Sequence, residues 1–156
     1  MSNYSEALAA TAGYCSLAEH CISEVVEKLK RFELTSEDQF KLIKYLQEEG
    51  YLNESRYVKA FVKDKFRFSK WGRIKIRYAL RQKGISSSLI DEGLTEIAED
   101  DYLEVIADLL RQKKRSIKAN SPYELRGKLL RFAAGRGFEL DQASNCLRKM
   151  GLDDEE

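Results

Sequence analysis

The chain has 156 residues, 34% of them charged and 43% hydrophobic, with 27 Lys and Arg against 26 Asp and Glu. That is enough chain for one compact domain or an array of small repeats with a real core, and no run approaches the ~18 apolar residues of a membrane span. A single proline beside abundant Leu, Ala, Glu, Lys and Arg argues against a β-sandwich and for helices.

Helix signals follow in chain order. Met1 to Thr11 has no basic start and is a poor secretion signal. Ser5 to about Tyr14 and Leu17 to Arg31 read as helices, the second on Ile22, Val25, Val26 and Leu29. Thr35 or Ser36 caps a third, with Phe40, Leu42, Ile43 and Leu46 as its apolar face and Gly50 as its stop. Asn53 caps a helix to about Phe68, and Trp71 to Lys83 forms the next, stopped by Gly84. Ser86 to Ser88 opens another, to about Glu99, followed by Asp101 to Lys114 on Tyr102, Leu103, Ile106, Leu109 and Leu110. Ser121-Pro122-Tyr123-Glu124 is a helix start with cap, first-turn proline and capping-box Glu; Gly135 and Gly137 end that helix. A last helix runs from about Glu139 to Met150. Sustained two-residue alternation is absent, so the expectation is all-α.

The helices fall into three groups of three, and a repeat accompanies them. A shift of 53 residues lays Arg73-x-Lys75-Ile76 on Arg126-x-Lys128-Leu129, and Leu80-x-x-Lys83-Gly84-Ile85 on Ala133-x-x-Arg136-Gly137-Phe138. A shift of 51 aligns Val25, Leu29 and Leu34 with Ile76, Leu80 and Ile85. Three tandem three-helix units are expected, over 1–52, 53–99 and 100–156, each burying its stripe partly against its neighbour. Expected core positions are Val25, Leu29, Phe61, Ile76, Leu80, Leu109, Leu129 and Phe138, and Tyr51 is read as packing under its turn.

Charge is segregated. Residues 56–83 hold 11 basic residues against 1 acidic, and 111–136 hold 9 against 1. Residues 84–110 hold 8 acidic and no basic residues, 1–55 hold 10 acidic against 5 basic, and 137–156 hold 6 against 2. Such blocks give a surface distinct positive and negative zones, although neighbouring blocks could also simply neutralise one another. On a helical wheel, Tyr57, Val58, Phe61, Val62 and Phe68 share one arc; Arg56, Lys59, Lys63 and Arg67 lie opposite, and Lys65 snorkels from the apolar side. On the following helix Ile76, Ala79 and Leu80 make one apolar side, with Arg73, Arg77 and Arg81 as a basic stripe beside it. Trp71, Ile74 and Tyr78 make a second apolar side. Either it is packed, as in the middle helix of an array, or it is an exposed aromatic and cationic patch suited to a protein or to single-stranded nucleic acid.

Catalytic constellations are missing. His20 is the only histidine, and no nucleophile elbow, phosphate loop or dinucleotide fingerprint is present. Cys15, Cys21 and Cys146 are odd in number and poorly spaced for a disulfide framework, which points to reduced thiols in a cytoplasm. Cys15, His20 and Cys21 lack a nearby fourth metal ligand. Asp91, Glu92, Glu96, Glu99, Asp100 and Asp101 cluster around helix starts, where acids favour the dipole. The reading is a non-enzyme with no cofactor and no metal.

Two motifs carry a family resemblance. Gly50-Tyr51-Leu52-Asn53-Glu54-x-Arg56-Tyr57-Val58-x-x-Phe61-Val62 resembles the first signature of the RecX family, regulators of the bacterial RecA recombinase. Arg73-Ile74-Lys75-Ile76-x-x-x-Leu80-Arg81-Gln82-Lys83-Gly84-Ile85 resembles the second, and Lys128 to Phe138 is similar to the third-unit pattern. In the first unit Phe32-Glu33 replaces the family's usual Lys-Gly. The resemblance implies an elongated, curved helical array acting in recombination, DNA repair and the SOS response. It implies a monomer without cofactor that docks in the groove or at the end of the RecA–DNA filament and blocks ATP turnover and strand exchange. The expected contact residues for RecA and single-stranded DNA are Arg56, Lys59, Lys63, Arg67, Lys70, Arg73, Lys75, Arg77, Arg81, Lys83, Lys128 and Arg131. Reversing Arg73, Arg77 and Arg81 is expected to abolish inhibition with little change in melting. The alternatives are a general single-strand-binding module that needs no recombinase, and a protein–protein adaptor centred on Trp71, Ile74 and Tyr78.

Overall fold

The computed structural model describes residues 3–152. These residues form nine α-helices and no strand: α1 Asn3–Leu17, α2 Ile22–Leu29, α3 Ser36–Glu48, α4 Glu54–Arg67, α5 Arg73–Gln82, α6 Ser87–Leu94, α7 Glu99–Ser116, α8 Pro122–Gly135 and α9 Leu140–Lys149. The expected caps are in place. Thr35 Oγ1 accepts from Asp38 N at 3.1 Å, Asn53 Oδ1 from Arg56 N at 3.0 Å, and Ser121 Oγ from Glu124 N at 3.0 Å.

Two boundaries differ from the sequence reading. α1 runs on through Leu17, and α2 begins only at Ile22. Two acids open α2: the Glu24 carboxylate accepts from Cys21 N at 3.3 Å, and Glu54 accepts from Ile22 N at 2.9 Å. The helix expected to reach Glu99 ends at Leu94, because Ala98 already begins α7 in extended conformation.

The chain divides into two compact units. One comprises the residues up to Phe61 together with Leu80–Gly93; the other comprises Val62–Ala79 together with the residues from Leu94 onward. In the first, α1, α2 and α3 pack on one another around Ala7, Cys15, Val25, Leu29, Leu42, Leu46 and Leu52. In the second, α7, α8 and α9 pack together and bury Ile106, Leu110, Leu129, Ala133, Ala143 and Leu147. Its aromatic centre stacks Phe66 on Tyr102, ring centroids 5.9 Å apart, and tilts Phe138 against the same tyrosine at 5.5 Å.

The repeat positions behave alike. Val25, Ile76 and Leu129 are each 0% exposed, and Leu29, Leu80 and Ala133 at most 1%. Phe61 and Leu109, expected in the core, are only half-buried. Phe40 and Phe68 are exposed at 69% and 79%, so neither is a packing residue, while Tyr51, 37% exposed, is partly covered. Phe68 lies one residue beyond α4, where the wheel no longer applies, and Phe66 takes the core position instead.

The unit stops also match in conformation. Gly84 and Gly137 turn left-handed, φ +79° and +91°, each followed by a buried apolar residue, Ile85 or Phe138. Glu33 adopts the same region at φ 52°, with Leu34 next. The turn is therefore kept in the first unit even where a side chain is strained by it. Glu33→Gly is expected to raise stability by about 0.5–1 kcal/mol, read from the urea midpoint.

Candidate partner and nucleic-acid interface

The cations expected to form the interface divide into those engaged within the fold and those left at the surface. Arg73 is the most engaged. Its guanidinium reaches Glu99 at 2.5 Å and Glu139 at 3.2 Å, and stands 3.8 Å over the ring of Tyr102. The Tyr102 hydroxyl donates a short hydrogen bond to Glu139 and accepts one from Arg73 N at 3.0 Å. Burial alone would lower the pKa of Arg73, but its bonds to Glu99 and Glu139 outweigh that and hold it above the ordinary value. Burial, with Glu139 alongside, pushes the Tyr102 phenol well up.

This network sits at a place where two backbones touch. Gly72 N–H donates to the Arg136 carbonyl at 2.8 Å and Ile74 N–H to the Gly137 carbonyl at 3.0 Å. A Cβ on Gly72 would lie 2.3 Å from the carbonyl carbon of Gly137, and one on Gly137 would lie 2.4 Å from the Cβ of Lys75. Arg136 closes the junction by donating to the Ser69 carbonyl at 3.0 Å.

In the other unit Glu24 is the hub. One carboxylate oxygen meets His20 Nδ1 at 2.8 Å and Cys21 N; the other meets Lys83 Nζ at 3.0 Å and the Tyr57 hydroxyl at 3.4 Å. Burial would raise the Glu24 pKa, but the bonds from His20, Lys83 and the Cys21 N–H prevail and hold it below its ordinary value. The hydrogen bond to Glu24 holds the Lys83 ammonium above its own.

Three further expected residues have partners. Arg56 bonds to Glu19 at 3.0 Å and to the Gly50 carbonyl at 2.8 Å; Lys59 lies 3.9 Å from Glu92; Lys128 donates to the Lys118 carbonyl at 2.8 Å and pairs with Glu124 at 3.1 Å. Lys63, Arg67, Arg81 and Arg131 are exposed, Lys70 is half-exposed, and none of the five pairs with a carboxylate among the described residues. Arg77 is half-buried and engaged. Lys70 holds a left-handed backbone, φ 56°, in the turn before α5.

The second apolar side of α5 is open, not packed: Ile74 is 56% and Tyr78 65% exposed. Beside it Trp71 is half-buried with two ammonium groups over its ring, Lys65 at 4.8 Å and Lys75 at 4.7 Å. Sequence reasoning missed the engagement of Arg73 and Lys83, because Glu24, Glu99 and Glu139 are distant in the chain. The three cysteines are free and buried, and no group of three His, Cys, Asp or Glu among the described residues could hold a metal ion. No helix among them is long and apolar enough to cross a membrane.

These features define an all-helical protein of three-helix domains whose chemistry is surface charge and exposed aromatics. Family models agree: the second three-helix domain of RecX matches residues 53–94 and the third matches 99–147. The "Regulatory protein RecX" of Pseudomonas fluorescens is 35% identical over 136 residues, covering 87% of this chain and 86% of that protein. That of Clostridium beijerinckii is 33% identical over 81% of this chain but only 60% of its own length, so the chain spans about three fifths of such relatives. The crystal structure of RecX from Lactobacillus salivarius shares the fold, with TM-score 0.86 over 96% of this chain and 97% of that one, at 19% identity. The chain belongs to the RecX family of regulatory proteins.

Two expected outcomes follow from this geometry. Gly72→Ala should cost about 3 kcal/mol, and Arg73→Ala about 2 kcal/mol, in chemical denaturation, whereas Lys63→Ala should stay within about 0.5 kcal/mol. The triple reversal that includes Arg73 would therefore confound stability with binding. Because the folded Glu24 pKa is depressed, its contribution is complete above the ordinary Glu value of 4.5 and declines as pH falls through the folded pKa. Glu24→Gln should remove that part of the acid-side loss of melting temperature.

Proposed function

We propose that this protein is a non-enzymatic regulator of the RecA recombinase. It inhibits by occupying the groove or the end of the RecA–DNA filament, blocking ATP hydrolysis and strand exchange, and works as a cytoplasmic monomer without a cofactor. The observation that carries this reading is the 35% identity to a regulatory protein RecX over most of both chains. The surface is consistent with it. Lys63, Arg67, Lys70, Arg81 and Arg131 pair with no carboxylate among the described residues, and phosphates of a nucleoprotein filament are their natural complement. The remaining cations of the interface are Arg56, Lys59, Lys75, Arg77 and Lys128. Arg73 and Lys83 act as positioning residues behind them, held by Glu99, Glu139 and Glu24. Of the three-helix units 1–52, 53–99 and 100–156, the second and third present these residues.

The exposed Ile74 and Tyr78 beside Trp71 favour a second reading, direct stacking on single-stranded DNA. Titration of the protein into RecA on single-stranded DNA, following ATP hydrolysis with a bare-strand control, separates the two. Inhibition is expected well below the concentration that coats the bare strand; inhibition only at coating concentrations would leave the general strand-binding module. Lys63→Glu with Arg67→Glu should weaken inhibition at least about tenfold while leaving helical CD and melting nearly unchanged. Full inhibition by that variant would remove α4 from the interface.

A further inference from the structure

Arg131 stands in a different setting from the other cations that lack a carboxylate. Tyr123, Gly127, Leu130 and Ala134 of α8, with Leu140 from the start of α9, line a groove of about 650 Å3. The four α8 residues are spaced by four, three and four, which gathers them within about 60° of the helix circumference. They lie apart from the buried Leu129 and Ala133 of the same helix. Tyr123 and Leu140 are each 58% exposed, and Leu130 is half-buried. The guanidinium of Arg131 lies against the floor of the groove: a Cβ on Gly127 would be 3.5 Å from Arg131 Nη1.

The repeat shows what is particular to this face. The shift of 53 residues lays the stripe on Lys70, Ile74, Arg77 and Arg81 of the second unit. Three cations have become Tyr123, Leu130 and Ala134, and Arg131 falls where the second unit has Tyr78. A cationic stripe has been exchanged for an apolar channel beside one unpaired charge.

That charge selects the occupant. An apolar group entering the groove strips water from the guanidinium, which is unfavourable unless the same occupant brings an acceptor. The groove's own carboxylate, Glu124, is already held by Lys128 at 3.1 Å and by Asn120 N–H at 3.2 Å. Arg131 pairs with no carboxylate among the described residues, and a guanidinium matches one incoming carboxylate through two parallel hydrogen bonds. A nucleic-acid strand fits less well, because it brings a row of phosphates and bases that stack on rings. Tyr123 is the one ring in the lining, and the other walls are aliphatic. From Tyr123 to Ala134 the stripe is about 16 Å long, the length of three helical turns.

We propose that this groove takes an amphipathic helix of a partner protein, which seats apolar side chains along α8 and one carboxylate on Arg131. The assignment rests on the reading of the chain as a regulator that docks on protein, and gives Arg131 a carboxylate instead of a phosphate.

The probe is a fluorescein-labelled helical peptide of about four turns, with leucines spaced by four, three and four and glutamates flanking them. Titrated against the full chain, it should bind with a Kd of about 10–100 μM by anisotropy. Amide shifts in nitrogen-15 spectra should centre on Gly127, Leu130 and Ala134. Arg131→Glu should weaken binding at least about tenfold, and a peptide with lysines in place of the glutamates should recover it on that variant. Gly127→Leu, which fills the floor, should abolish binding with helical CD retained. No saturation by about 1 mM peptide, shifts centred elsewhere, or indifference to Arg131→Glu would overturn the proposal. A (dT)20 strand should bind Gly127→Leu as it binds the unaltered chain; an equal loss for strand and peptide would assign the groove to DNA. Self-association of the free chain that Gly127→Leu removes would assign it to a second copy. The peptide titration contains no recombinase, so its failure is distinct from failure of the filament reading.

Discussion

At Gly72 and Gly137 two stretches of backbone lie in contact, so close that neither residue can carry a side chain. Two main-chain hydrogen bonds, from Gly72 and Ile74, hold the start of α5 against the turn between α8 and α9. This contact decides where the next residue goes. Arg73 is delivered over the Tyr102 ring and between Glu99 and Glu139 instead of into solvent. Tyr102 then ties the network to the aromatic centre of its unit, through Phe66 on one side and Phe138 on the other. A polar cluster half out of water is stable only because nearly every donor in it has an acceptor.

That arrangement changes the meaning of the basic block over 56–83. Counted along the chain it is 11 cations against one acid. In the folded units Arg56, Lys59, Arg73 and Lys83 each face a carboxylate from elsewhere in the sequence: Glu19, Glu92, Glu99 with Glu139, and Glu24. Exposed pairs such as Lys59 with Glu92 contribute little, while Arg73, partly withdrawn from water, is integral to packing. What remains is a smaller set, Lys63, Arg67, Lys70, Arg81 and Arg131, exposed or half-exposed and paired with no carboxylate among the described residues.

Much of the fold was legible in advance because it rests on local chemistry. Thr35, Asn53 and Ser121 cap their helices through side-chain oxygens, which neighbouring residues alone can specify. The repeat was visible because equivalent positions such as Val25, Ile76 and Leu129 must be apolar to be buried. The failures sit where the helical wheel had no authority. Phe68 falls past the end of α4, and Phe40 points away from the α1–α3 core although its spacing suited the stripe. The break between Leu17 and Ile22 depends on Glu54, more than thirty residues further on, which caps α2.

Sequence by itself determined the all-helical class, the repeat, and membership in a family whose motifs lie on consecutive residues, because helix stops, caps and apolar periodicity are short-range properties. It also placed the cations on the helices that carry them. Only the tertiary structure decided which of those cations are spent inside the fold, and that the Ile74 and Tyr78 side of α5 stays open. The reason is physical: an ion pair or a covered face needs a second group brought within a few ångströms. For Arg73 and Lys83 that group lies 26 to 66 residues away along the chain.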